Sequence, residues 1–465
     1  MPNNNNENRI FTQEELQNLP RYRPWLIRDL LEEGKLDKAK ETFVNLNNSI
    51  GFLHDGAFTW IAGLMTYVYN GYGNEGLDEA YRFALKMERL DIFPKSPFPD
   101  FDLIVTNFAR DLRGICKQKF SITEDEEKVI FSLKPCGNGG RLIDMAYEPD
   151  AGIARCEESS PLSFGEPNLP IFCSGCAMRE IRDFEETGHL QTVRASDAIC
   201  ATKTHDCKIF IYKDPDDVPV SYYERLGLKK PEPTKFSAVK PARFFSDEQL
   251  NRLGAMPEDA VINEFEKESN SNIMEVFDRY YEEKTRMHDA VSCMCGALLT
   301  WIYEKENFDG VVAAEMFAHK IEAEIAMPHD NEDNLRDLIL GTLNALHGHV
   351  HQNMKMTEDD KKIVLEANPC GSGGRMIQRA YDPDIGYARL KGNHPAIWNM
   401  DELPIYCIHC PLFEQMAVDN SGSFAAVHSF HSTESPKSPV CEYVFYKNPA
   451  DIPEEYFNRI GRKKP

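Results

Sequence analysis

The stretch Pro135–Arg155, PCGNGGRLIDMAYEPDAGIAR, returns at Pro369–Arg389 as PCGSGGRMIQRAYDPDIGYAR, with 14 of 21 positions identical. Extended in both directions without a gap, this alignment pairs residues 9–231 with 243–465 at a constant offset of 234. Elsewhere the copies have diverged heavily, so positions that still agree mark what each copy has kept. Each copy is far longer than a solenoid repeat of roughly 20–50 residues and long enough to bury its own core. The sequence therefore predicts a tandem duplication of an α+β domain. Residues 1–8 would form a disordered polar tail, 9–231 the first repeat unit, 232–242 a linker and 243–465 the second unit. Fused copies often reproduce a two-fold dimer, so an intramolecular pseudo-dimer is expected, leaving a further homo-oligomer open.

The chain has 465 residues, with 52 Lys and Arg against 75 Asp and Glu, a formal charge of −23. Nucleic acid and anionic membrane surfaces call for a basic footprint, so neither is an expected partner. No run approaches the roughly 18 apolar residues of a membrane span, and the Asn-rich start has no apolar signal core, which points to a cytoplasmic protein. In that compartment the 13 cysteines are expected to serve metal or redox chemistry rather than disulfides.

Each copy opens with helical periodicity. Ala57, Phe58, Ile61, Leu64, Met65 and Val68 recur at three- and four-residue steps within Leu53–Tyr69, as do Val291, Cys295, Leu298, Leu299 and Ile302 in the second copy. Further helices are expected over Leu77–Glu88 and Phe101–Cys116, with Pro94 and Pro328 punctuating the same loop. Thr123-Glu-Asp and Thr357-Glu-Asp then read as turns before strands at Lys128–Leu133 and Lys362–Leu365. Other expected strands are Pro170–Phe172, Leu190–Arg194 and Lys208–Tyr212, with a helix over Ala177–Glu186. Helices first and a mostly antiparallel sheet second give the α+β order, a helical layer packed on a sheet with a Cys-rich metal knuckle.

Four cysteines survive in register: Cys136, Cys173, Cys176 and Cys207 align with Cys370, Cys407, Cys410 and Cys441. The unmatched Cys116, Cys156, Cys200, Cys293 and Cys295 show that thiols elsewhere are not kept. A CxxC can place two thiolates on one cation, and the distant pair would arrive from neighbouring strands. Zinc is the expected cofactor, with an iron–sulfur cluster or plain packing as alternatives. Four thiolates close a zinc shell and make it structural, whereas three would leave a position for water or substrate.

The glycines of PCGNGGR permit positive φ and an anion nest, to which Arg141 or Arg375 adds a guanidinium fork. The competing reading is a tight turn whose arginine pairs with a nearby acid such as Asp150 or Asp384; Arg155 and Arg389 are weaker candidates of the same kind. His54-Asp55 and His288-Asp289 sit at the head of an apolar helix, where the histidine could be a general base or a hydrogen-bonded core residue. Ten of the 13 histidines lie in the second copy: His288, His319, His329, His347, His349, His351, His394, His409, His428 and His431. Arg113, Ile115, Lys117, Ser160 and Gly175 occupy the positions of His347, His349, His351, His394 and His409. Degeneration of the first copy and surface drift both fit that asymmetry.

The second copy, with PCGSGGR at Pro369–Arg375, His394 and Trp398, YCIHC at Tyr406–Cys410 and Cys441 opening the last strand, resembles a group of bacterial single-copy proteins to which no mechanism is assigned. Its CxxC, helix and Cys-strand order is also distantly similar to small-molecule-binding domains of the 4-vinyl-reductase type and to the 2-aminothiazoline-carboxylate hydrolase group. Two functions follow as expectations. One is a metal-containing hydrolase or lyase for a small organic anion, with Arg375 holding the anion, His288 or His409 moving protons and His394 a further candidate. The other is a binding or sensor protein with a structural zinc in each copy.

Overall fold

The computed structural model describes residues 9–92, 100–147, 151–195, 206–233, 243–267, 270–325, 334–381, 385–423, 427–430 and 440–465. The tail 1–8, most of the linker, Pro94, Pro328, Asp150, Asp384, Cys200, His329 and His431 lie outside them, as does the His428 side chain.

Both copies begin with short capped helices. Thr12 and Glu15 form a capping box on the helix Gln13–Asn18, and Ser246 with Gln249 does the same for Asp247–Gly254. Helices Arg23–Glu32 and Pro257–Glu266 each start with a proline in the first turn, where a missing N–H costs nothing. Long helices follow, Leu36–Asp91 and Asn270–Ile325, each interrupted once by a left-handed residue: Gly73 at φ 63° and Asn307 at φ 60°. Glycine and asparagine are the residues that most readily take a positive φ, and each long helix is two helical segments joined at that kink. The helices Phe101–Gly114 and Leu335–His347 complete each helical set.

The strands are β1 (Phe120–Glu124), β2 (Lys128–Leu133), β3 (Arg155–Cys156), β4 (Leu169–Pro170), β5 (Thr192–Ala195) and β6 (Cys207–Tyr212) in the first copy. Their counterparts are β7 (Met354–Glu358), β8 (Lys362–Ala367), β9 (Arg389–Lys391), β10 (Glu402–Pro404), β11 (Val427–Phe430) and β12 (Cys441–Tyr446). Two antiparallel sheets result, β1-β2-β6-β5 and β7-β8-β12-β11, with β3-β4 and β9-β10 as separate ribbons. Registers agree at the same offset: Phe120 faces Leu133 and Met354 faces Ala367, while Leu133 faces Cys207 and Ala367 faces Cys441. Alternating burial along β1, β2, β7 and β8 is the period-two signature of a half-buried sheet. Phe108 meets Phe131 edge-on at 5.2 Å, packing the helix Phe101–Gly114 on β2.

The protein is thus mixed helix and small antiparallel sheets. Several local expectations shift: the strand expected at Leu190–Arg194 is Thr192–Ala195, and the helix from Phe101 ends at Gly114. Thr123 and Glu124 belong to β1, with the turn falling after them, and the segment read as a strand at Pro170–Phe172 is the end of β4 followed by a 3-10 turn at Ile171–Cys173. The helix after the CxxC begins earlier, at Ser174. No helix among the described residues is long and apolar enough to cross a membrane.

The compact units do not coincide with the two repeats. One holds His54–Met294 and Phe317–Met327 and carries the first sheet; the other holds Met1–Leu53, Cys295–Met316 and Pro328–Pro465 and carries the second. Each sheet is therefore grouped with the opening helices of the other copy. In the first-sheet unit the Phe244 and Phe245 amides donate to the Glu124 carboxylate at 2.7 and 2.9 Å. In the second-sheet unit Ile10 and Phe11 donate to Glu358 at 2.7 and 3.0 Å.

Candidate functional site

The crossing from β2 to β5 carries the glycine turn, the ribbon β3-β4 and the CxxC helix, which gathers the cysteines at one end of the first sheet. Cys136 follows β2, Cys207 opens β6, Cys173 ends the 3-10 turn and Cys176 lies in the first turn of the helix Ser174–Thr187. All four line one cavity of about 300 Å³ in the first-sheet unit. Gly139 is required there, because a Cβ on it would come within 2.5 Å of the Cys173 sulfur. Burial pushes the Cys176 and Cys207 thiols up, and Cys136 adds to the shift. Cys370, Cys407, Cys410 and Cys441 take the equivalent places in the second-sheet unit. Burial raises Cys407, Cys410 and Cys441 well above an ordinary thiol, with further contributions from their neighbours. Among the described residues, however, no three Cys, His, Asp or Glu side chains are arranged to hold a metal ion. The quartets converge as thiols without forming a ligand shell.

The glycine turn does not present a free nest. Gly137 N–H donates to Gln118 Oε1 at 2.8 Å and Gly371 N–H to Gln352 Oε1 at 2.7 Å. Arg141 is held by Asp55, with Nε to Oδ1 at 3.1 Å and Nη2 to Oδ2 at 2.5 Å. Burial opposes ionisation of Asp55, yet hydrogen bonds from His54, Lys117 and Arg141 hold it below the usual carboxylate range. In the first copy, then, the arginine pairs with an acid, and the acid is Asp55. Arg375 lies half-buried in the helix Gly373–Ala380.

The predicted catalytic residues fall in both compact units. His288 belongs to the first-sheet unit and approaches its neighbour Asp289 at 3.4 Å. Its counterpart His54 is buried, approaches Asp55 at 3.5 Å and packs on Phe58 at 4.2 Å; burial pulls it down to about 4, so it is neutral. In the second-sheet unit His394 caps the 3-10 turn Pro395–Ile397, accepting from Ala396 N–H at 3.1 Å; Ser160 holds the same position in the first copy, where its N–H donates to Ser163 Oγ at 2.9 Å. His409 Nδ1 sits 2.6 Å from the Tyr406 carbonyl, which requires a proton on that nitrogen. The HGHVH run is spread out: His347 is buried with Nε2 on the Leu19 carbonyl at 2.8 Å, while His351 is exposed with Nδ1 3.4 Å from the Tyr22 hydroxyl. His319 stacks on Trp60 and approaches Glu322 at 3.1 Å.

The cavity brings forward residues that the sequence did not single out. Phe58, Phe108, Phe172 and Tyr81 supply an aromatic lining, with Phe58 and Phe172 5.1 Å apart. Arg179 lines it too but is neutralised by Glu88, with two bonds at 2.9 and 2.8 Å. Asp111 is bound by Arg286 at 2.9 Å, and burial raises its carboxyl. Arg194 differs. It is 9% exposed, its guanidinium lies 5.9 Å from the Phe108 ring centre, and its Nη1 is buried with no hydrogen-bond partner. Its main chain is fixed on both sides, the N–H donating to Glu180 and the carbonyl accepting from Arg225 at 2.9 Å. A buried guanidinium donor without an acceptor costs free energy until an anion supplies one. The second copy holds Glu315, Phe413 and His428 where the first has Tyr81, Arg179 and Arg194, a difference in arginines that the sequence reading did not single out.

Comparison of the chain with family models, curated proteins and solved structures found no match. What the site does is therefore argued from its geometry.

Proposed function

We propose that this chain is a small-molecule-binding protein whose ligand is a small organic anion with an apolar body, taken into the cavity of the first-sheet unit. The observation that carries this reading is the buried, unpartnered Nη1 of Arg194 in a cavity with aromatic walls. Apolar walls with a few placed polar groups are the usual composition of a ligand pocket. A carboxylate would satisfy the guanidinium while the rest of the ligand displaces water from the rings. Among the described residues no histidine lines the cavity, which favours binding over the hydrolase or lyase reading. The agreement of caps, kinks and strand registers at one offset supports a tandem duplication, in which only the first copy has kept this cation.

A second reading, compatible with the first, concerns metal. Convergence of four thiols in each copy supports a structural zinc, which would need the side chains to turn toward a common point. Metal analysis of the purified protein decides it: two zinc per chain supports the reading and none removes it.

The binding reading is tested by thermal denaturation with benzoate or the uncharged benzamide. Benzoate should raise the melting temperature of the wild type more than benzamide does, and Arg194→Gln should erase the difference. Equal protection of the variant by benzoate would sink the proposal.

A further inference from the structure

We infer that arm exchange between the copies is obligatory: the opening helices of each copy are a docking module for the sheet of another copy, and a chain with one repeat would pair with a second by the same exchange. The inference is independent of the ligand reading and rests on contacts that recur in both compact units at the same offset.

Glu124 accepts from the amides of residues 244 and 245, and Glu358 from those of 10 and 11. Arg113 Nη1 donates to the Leu253 carbonyl at 2.8 Å, and His347 Nε2 meets the Leu19 carbonyl at the same distance. The close approaches repeat as well. A Cβ on Gly114 would lie 2.8 Å from the Glu283 carbonyl oxygen, and one on Gly348 would collide with that of Ser49. Residue types changed at these positions, Arg to His and Glu to Ser, yet the partnership between one copy's sheet side and the other copy's arm did not.

The arms also carry core. Phe11, Ile27, Phe43 and Leu46 are at most 2% exposed, as are Val261, Phe277 and Tyr280 in the second arm. Glu124 is itself buried against Lys213 at 2.8 Å, both side chains fully covered, so its remaining acceptor capacity must be met by the arm. The chain passes from one unit to the other at residues 53–54, 294–295, 316–317 and 327–328, the first three of these inside the two long helices.

Hydrogen exchange by mass spectrometry on the full chain tests this. Glu124→Gln should speed exchange at residues 244–254 by roughly tenfold or more and leave 10–18 at the wild-type rate, and Glu358→Gln should do the reverse. A variant that loosens the arm of its own copy, or neither arm, overturns the inference. Should Glu124→Gln not fold, a protease site placed within residues 234–240 of the otherwise native chain gives a second reading. After cleavage the two fragments should elute together at the mass of the intact chain; separation without denaturant would show that exchange is not obligatory.

Discussion

Gly175→Ala probes the cavity where the two copies differ most directly. A Cβ on residue 175 would fall on the Tyr81 hydroxyl, with Cζ at 2.6 Å and Cε1 at 3.0 Å. These atoms belong to a rigid ring that is 4% exposed, so a rotation about a flexible tail cannot relieve the clash. Overpacking of this kind costs about 1–3 kcal/mol. The space available for relief is the cavity itself, which Tyr81 lines. A ring that swings there removes room for the ligand. The variant should therefore lose about 1–3 kcal/mol in urea unfolding and bind benzoate more weakly. Tyr81→Leu in the same background removes all three clashing atoms and should recover most of the stability, whereas Tyr81→Phe, which leaves Cζ, should recover less. The second copy already holds such a pair: His409 at the glycine position occurs with Glu315 at the tyrosine position. The reasoning is refuted if Gly175→Ala matches the wild type in both assays, or if the Gly175 and Tyr81 substitutions prove additive.

Two further outcomes follow. Arg113 and Glu283 form a buried pair, their side chains 11% and 2% exposed, so Glu283→Ala should destabilise by about 3–5 kcal/mol. The equivalent Ser49→Ala removes a hydroxyl that donates to the Asn45 carbonyl at 3.0 Å and should cost under about 1 kcal/mol; equal losses in urea melts would contradict the described pairing. His54 and His347 are pulled by burial to about 4 and about 3, below the ordinary 6.5, with Arg23 adding to the shift of His347. Between those values and 6.5 the unfolded chain binds more protons, so stability is full above pH 6.5 and falls as pH drops toward the folded values. Each histidine should cost about 2 kcal/mol by pH 5. His347→Gln should flatten its share of the decline between pH 7.5 and 5; an unchanged slope would show that His347 is not buried neutral.

Local pattern carried much of the fold. The period-two run Lys128–Leu133 is β2, and the helix after the CxxC ends one residue beyond its expected end. The two periodic runs on either side of Gly73 are two helical segments, separated by a kink at that glycine. Arm exchange was not legible, since no local signal tells an amphipathic helix which of two related sheets it packs on. Part of the histidine asymmetry has a structural counterpart in the first copy. His394 stands at the N-cap of a turn as Ser160 does, and His347 meets a carbonyl as Arg113 does, so His347 keeps a structural hydrogen bond that both copies share. Arg194 is a lone cation in a strand, and its significance arises only from the cavity wall that leaves Nη1 without a partner.

The most direct measurement is a crystal structure of the full chain with 4-bromobenzoate, located by the anomalous signal of bromine. The account predicts bromine among Phe58, Phe108 and Phe172 and the carboxylate on Nη1 of Arg194. Bromobenzoate bound instead at Arg141 or Arg375, or an empty cavity at saturating ligand, would contradict it.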